Sequence, residues 1–361
     1  MKHLLIISVV FCVVACNDTG TQSPGDTFDR RAMLTSIADS VIVPSYAAFM
    51  NRVTECEQAC DAVIDAPNSG TITNVRFAWS LLHYSWSAVQ QFDFGPAESA
   101  TGNLAISLGS FPTNAAKMEF YIAANDTSFA NFDRDTRGIY GLEYLIFGAT
   151  GNSAEEVAAA FAANPERGAY LRAVIRDVKR RATPVVQAWN GVFRDAFIAN
   201  NGTAVGSSTS LLFNEFNKSY ENIKNYKWSV PLGLRPGQAG PEPMKVECYY
   251  ASQFALWKNK SLDGTRAHFS AIVKTWTFFK PYLAVVPGGP DLIIQTQRQI
   301  DTVSNLLAAF PVSTSLADQV VRSPDAAMQV YTELQKLTRF FKSEMSSRLG
   351  IAITYSSGDG D

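Results

Sequence analysis

Histidine is almost missing from this chain of 361 residues: there are three, and His3 lies at the extreme N-terminus, leaving His83 and His268. Two imidazoles cannot build a multi-histidine zinc centre. Neither sits near a Gly-x-Ser-x-Gly turn, so no Ser-His-acid set can be assembled. Cysteine is also scarce, with Cys12, Cys16, Cys56, Cys60 and Cys248 forming no Cys-x-x-Cys pair and no Cys/His cluster. Gly237 to Gly240 lacks the Gly-Lys-Ser/Thr ending of a phosphate loop. An excess of one charge is missing as well: 31 basic against 33 acidic residues give a net charge of −2, and no basic stripe interleaves with aromatics. Nucleic acid is therefore not expected as a partner. Past residue 15 no apolar run reaches the ~18–20 residues of a membrane span. Charged residues make up 18% and hydrophobic residues 47%. That is too little charge and too much apolar surface for a disordered chain.

What is abundant is apolar spacing of three and four. Over 74–91 it links Val75, Trp79, Leu82, Trp86 and Val89 in one helical stripe. Over 166–199 it links Leu171, Val174, Val178, Val185, Trp189, Val192 and Phe197, with Pro184 as a kink. Residues 29–65 carry the same signal, interrupted by Pro44. Ser323-Pro324-Asp325 reads as a helix start and Gly350 as a helix end, bracketing Val330, Leu334, Leu337, Phe341 and Met345. Alternating, strand-like runs are scarce. The expected fold is all-α: two four-helix-bundle-like halves packed together, 28–200 and 201–355, divided near NNGTAVGS, with a disordered tail at 356–361.

Residues 1–15 have a basic start and an apolar run, the pattern of an export signal. The run ends Val-Val-Ala-Cys16, similar to the bacterial lipobox, in which the cysteine is acylated. Cys16 is the expected lipidation site, residues 16–27 a polar tether, and a lipid membrane the expected partner. Removing residues 1–15 takes away Lys2 and no acid, moving the charge from −2 to −3. In an exported protein Cys56 and Cys60, four apart on a helix, are left open between a disulfide and two thiols.

The stretch with most chemical content is Arg137-Gly138-Ile139-Tyr140-Gly141-Leu142-Glu143-Tyr144-Leu145-Ile146-Phe147-Gly148. Tyr140 and Glu143, at i and i+3, share a helix face, and Gly138 and Gly141 admit a close neighbour. A carboxylate beside a second oxygen holds a hard cation if other elements add ligands. Asp93, Glu247 and, more weakly, Glu119 are candidates, unless each serves as a cap or pairs with Arg76, Arg137 or Arg235. Arg137, three before Tyr140, is a candidate partner for Glu143. Trp79 and His83 lie on the stripe helix, His83 reading as packed rather than ligating, and His268 reads as near-surface.

These residues resemble the imelysin-like family, which includes insulin-cleaving membrane peptidase homologues, iron-regulated proteins and a relative in periplasmic iron uptake. The family signature is Gly-x-His-x-x-Glu before an apolar run, matched here by Gly138, Tyr140 and Glu143. Phe92-Asp93-Phe94-Gly95-Pro96, Pro231-Leu232-Gly233 and the Glu247 to Ser252 stretch are similar to further family motifs. The resemblance implies an exported two-bundle helical protein with its signature near the groove between halves. Tyr140 departs from the family histidine. A phenol must lose a proton near pH 10 before it ligates, so it suits Fe(III) better than zinc. The expected function is thus a non-catalytic binding lipoprotein of the cell envelope, serving iron or haem-iron acquisition with iron-transport or haem-protein partners. The rivals are a metallopeptidase with an altered metal site and a peptide- or partner-binding module. The expected cofactor is open, iron or another divalent or trivalent metal included.

Overall fold

The computed structural model describes residues 27–99, 103–130, 132–149 and 151–355. The signal segment, Cys16 with most of the tether, and the tail 356–361 lie outside the described residues. Among the described residues every regular element is helical. The chain opens with α1 (Arg30–Ile37), a π-helical turn (Ala38–Ile42) and α2 (Val43–Asp65). Pro44 follows the π-helical turn directly, and the chain stays helical through it, so the proline interrupts the α-helical bonding without ending the helix. Leu34, Ile37, Tyr46, Phe49 and Val53 are buried. The run 30–65 is apolar enough by length and composition to cross a membrane, but it buries its apolar face inside the protein.

Next come α3 (Ser69–Val89), the short α4 (Pro96–Ser99) and α5 (Leu104–Gly109), α6 (Ala115–Ala123), α7 (Gly138–Phe147), α8 (Ala154–Ala163), α9 (Pro165–Trp189) and α10 (Val192–Ala199). After the loop 200–207 follow α11 (Ser208–Asn222), continued by a π-helix (Ile223–Ser229), then α12 (Lys260–Ala284), α13 (Gly289–Ala309), α14 (Leu316–Arg322) and α15 (Pro324–Thr338). A last π-helical turn (Arg339–Glu344) leads into α16 (Met345–Leu349).

All five stripe residues of α3 are buried, as their helical spacing requires, and Asn68 and Thr71 close a capping box at the start of the helix. The long second stripe is cut. Asn190 and Gly191 break the helix between α9 and α10, the phase restarts, and Val192 is 88% exposed while Val185 and Trp189 are buried. Val330, Leu334, Leu337, Phe341 and Met345 are buried as the spacing requires, and Gly350 ends the helix with φ +62°. Ser323 occupies the cap position of α15 without a side-chain cap bond. Cys56 and Cys60 are free, buried thiols. They sit one turn apart on the unbroken α2. Cβ atoms at that spacing stand roughly 5–6 Å apart, against the ~3.8 Å a disulfide needs.

Two packings put α7 at the centre of the molecule. Helix α2 lies along α3 and α9, and α7 packs on both of them, while α3 also packs on α12. Helix α7 is apolar on nearly every side, and each of its ten residues is buried. Any polar group on α7 must therefore find its partner inside the protein.

Candidate functional site

Helix α7 starts in a tight place. Gly138 has φ +73°, and a Cβ there would stand 2.5 Å from the Leu108 carbonyl at the end of α5. Gly141 is less constrained, with ordinary contact distances from 3.4 Å. From this start Tyr140 and Glu143 both face the segment Glu247–Gln253 that precedes α12. The segment turns at Cys248, which adopts a left-handed φ of +57°. That conformation is uncommon outside glycine. The turn places the Glu247 side chain and the N–H of Ala251 on the side that meets α7.

Glu247 is the hub. The Tyr140 hydroxyl donates to its Oε1. Lys227 Nζ, from the π-helix after α11, stands 2.8 Å from both carboxylate oxygens, donating to Oε1 and holding Oε2 by charge. His83 Nε2, from α3, lies 3.3 Å from Oε1 and 3.3 Å from Cys248 Sγ. Ser261 Oγ donates to the Glu247 carbonyl. Helix α12 reaches this cluster through Gly264, where a Cβ would stand 2.6 Å from His83 Cε1 and 2.9 Å from Glu247 Oε2. Trp79 Nε1 donates to the Ile139 carbonyl at 2.9 Å, and its ring stacks on His83 with centroids 5.6 Å apart, so α3 and α7 are locked in register.

The electrostatics sort these groups. Burial alone would raise the Glu247 carboxyl, but the Lys227 ammonium and then His83 outweigh it and hold it well below the usual range. Glu143 has no cation. Its Oε1 accepts the Ala251 N–H at 2.8 Å, and burial, with the Glu247 charge beside it, raises its pKa to about 8. Burial drives the Tyr140 phenol up, and the neighbouring Glu247 carboxylate adds to this. Burial lowers His83, His268 and Lys260. At neutral pH the centre is thus a Glu247–Lys227 ion pair surrounded by neutral Glu143, Tyr140, His83 and His268.

Other expected members fall elsewhere. Asp93 accepts the Ala105 N–H at 3.0 Å and lies 4.0 Å from Lys218. Burial raises it to about 6, and Glu215 beside it to about 7. Arg137 is not the partner of Glu143. It has extended backbone just before α7, so helical i, i+3 spacing does not apply, and its NH1 donates to the Phe129 carbonyl at 3.1 Å. Arg235 does not pair with Glu247, whose cation is Lys227. Glu119 takes Tyr144 and Arg167. Ser252 Oγ donates to the Tyr249 carbonyl at 2.8 Å, closing its own turn. His268 is fully buried rather than near-surface, because it follows Gly264 by one turn on the inward face of α12, 2.7 Å from Ser219 Oγ. Sequence reasoning misses Lys227 and Gly264, and it does not assign Cys248 to this centre. The one signal for Lys227 is its place between Tyr226 and Trp228 in the run IKNYKWSV.

A metal ion does not fit this centre. The position a cation would take against Glu247 is held by the Lys227 ammonium, the phenol keeps its proton, and Glu143 is engaged by a peptide N–H. Among the described residues no group of three or more His, Cys, Asp and Glu is disposed to hold a metal ion. Tyr140, Glu143 and Glu247 are each at most 2% exposed, so they line no groove.

The sequence profile of the imelysin family, a peptidase family by its designation, matches residues 42–341. Over 112 residues the chain is 28% identical to iron-regulated protein A of Synechococcus elongatus, an alignment covering 31% of this chain and 30% of that relative. The fold is similar to that of an imelysin-like protein from Psychrobacter arcticum, with TM-score 0.71 and 19% identity over 91% of this chain and 97% of the other. A Parabacteroides distasonis protein, provisionally called an iron-regulated protein A precursor, is as similar, with TM-score 0.71, 17% identity and the same coverage.

Proposed function

The chain belongs to the imelysin family, and from that premise we propose that it is an exported, non-catalytic binding protein of the cell envelope that contributes to iron or haem-iron acquisition. The observation that carries the non-catalytic reading is the Tyr140–Glu247–Lys227 arrangement. Where the signature histidine would stand there is a protonated phenol, and the carboxylate it meets is already neutralised by an ammonium. A hydrolytic metal needs ligands free to bind and an open position for water, and this centre offers neither. The iron association rests on the relatives' names alone. Export and anchoring rest on the signal-like residues 1–15 and on Cys16, whose acyl chains would hold the protein to a membrane. Iron-transport or haem proteins are the partners this reading calls for.

Isothermal titration with Zn(II), Fe(II) and Fe(III) tests the non-catalytic reading of this centre. Wild type should show no stoichiometric binding at the centre. Tyr140→His alone should bind no better, because Lys227 still holds both oxygens of Glu247, whereas Tyr140→His with Lys227→Ala should gain affinity. One equivalent bound by wild type and lost in Glu143→Ala would favour the altered metallopeptidase instead. Cys16→Ser should release the protein from membranes; retention after a high-salt wash would sink the anchor.

A further inference from the structure

Besides carrying Lys227, the π-helix Ile223–Ser229 forms one wall of an open cleft of about 390 Å³. None of the residues around Glu247 lines it. Three cationic side chains, Lys224, Arg235 and Arg339, do, and no acidic residue does. Helix α15 supplies another wall through Tyr331, Gln335 and Thr338, whose spacing of four and three puts their polar groups on one face. Arg339 opens the second π-helical turn, Arg339–Glu344. Two π-helical segments thus meet at one cleft, a rare geometry that concentrates at functional sites.

The cleft is built before any ligand arrives. Lys224 is only 5% exposed. The rim loop carrying Leu234, Arg235 and Pro236 is tied back by the Leu234 N–H to the Ser229 carbonyl and the Glu242 N–H to the Pro231 carbonyl. It also closes on itself at Gly233, with φ +71°, where a Cβ would stand 2.1 Å from the Gly240 carbonyl oxygen. Arg235 lies over the Tyr226 ring at 5.1 Å. Such stacking orients a guanidinium. Arg339 pairs with Glu344 at 3.5 Å, and its side chain remains largely exposed.

We propose that this cleft binds a small ligand bearing two or more oxyanion charges, its carboxylate or phosphate groups held by Lys224, Arg235 and Arg339 and its neutral polar groups met by the α15 face. Planar guanidinium forks suit carboxylate and phosphate equally, so the chemistry is shared between an organic polycarboxylate and a phosphate compound. The volume leaves room for more than a single phosphate. The site does not depend on the iron reading.

The test is isothermal titration of the full mature protein with citrate and, separately, with pyrophosphate, at low and at high salt. At least one should bind with one-to-one stoichiometry and weaken as salt rises. Arg235→Gln and Arg339→Gln should each weaken it about tenfold, the loss of one charge-assisted hydrogen bond. Lys224→Met tests the buried cation, with circular dichroism to separate misfolding from lost binding. Citrate binding alone assigns a carboxylate ligand, and pyrophosphate alone a phosphate ligand. Binding of neither anion, or binding that the two arginine variants leave unchanged, overturns the proposal.

Discussion

Glu143 and Glu247 are buried to nearly the same degree, interact with each other, and titrate in opposite directions. Glu247 meets an ammonium and stays charged below its usual range; Glu143 meets a peptide N–H and is held neutral up to about 8. Burial is common to both and cannot be the cause of the difference. The partners decide: at Glu247 the Lys227 ammonium with His83 outweighs desolvation, and at Glu143 the backbone N–H groups of Ala251 and Tyr250 do not. The Asp93–Glu215 pair marks the limit of that rule: Lys218 stands 3.0 Å from Glu215 and 4.0 Å from Asp93, yet burial, with each carboxyl beside the other, still raises both.

The comparison breaks most sharply if the ammonium is removed. Lys227→Met should lower unfolding free energy by about 3–5 kcal/mol, because it leaves an uncompensated buried charge. Adding Glu247→Leu to it should recover most of that loss, and urea denaturation of the two variants compares them. Equal losses in both would mean Lys227 acts by packing alone.

Tyr140→Phe keeps the ring and deletes one donor to a charged acceptor, a change worth about 1.5–3 kcal/mol. It should also bring the Glu247 pKa closer to normal, which acid unfolding would detect as an earlier transition. Gly264→Ala pushes a methyl against His83 and Glu247. It should cost about 1–3 kcal/mol in thermal or urea unfolding.

The gentlest probe is Glu143→Gln. The native carboxyl titrates at about 8 against 4.5 for the ordinary group, so the folded state holds a proton that the unfolded chain releases in between. Its contribution is full below about pH 4.5 and drains away as pH rises towards 8. Glutamine cannot lose that proton. The variant should gain stability relative to wild type from about pH 5 to about pH 8 and run parallel above it. Measuring the difference between the two proteins removes the background from Asp93 and Glu215, whose raised pKa values act with the same sign. Glu247 has the opposite sign, its stability being lost only as pH falls below about 4.5.

Most of the fold was legible in the sequence, since the stripe of α3 and the inner face of α15 follow from helical spacing alone. Phase resets were not: nothing in Asn190-Gly191 says where the next helix resumes its phase, which is why Val192 faces solvent against expectation. Tyr140 and Glu143 were legible because one helix carries both. Lys227 and Gly264 were not, because they meet Glu247 from two further elements, and no local spacing reports a contact made only in three dimensions.

The π-helix Ile223–Ser229 carries Lys227 to the buried ion pair and Lys224 to the cleft on a single short segment. A π turn holds one residue more than the α turn it replaces. Deleting Asn225 or Tyr226 would let the segment wind as ordinary helix while the chain on either side keeps its place, because the one extra residue is what the π turn absorbs. The change would fall inside the segment, where Lys224 and Lys227 would stand two residues apart instead of three, and the two could no longer point at the cleft and at Glu247 together. The residue count of this one turn therefore sets the angle between the buried ion pair and the open cleft.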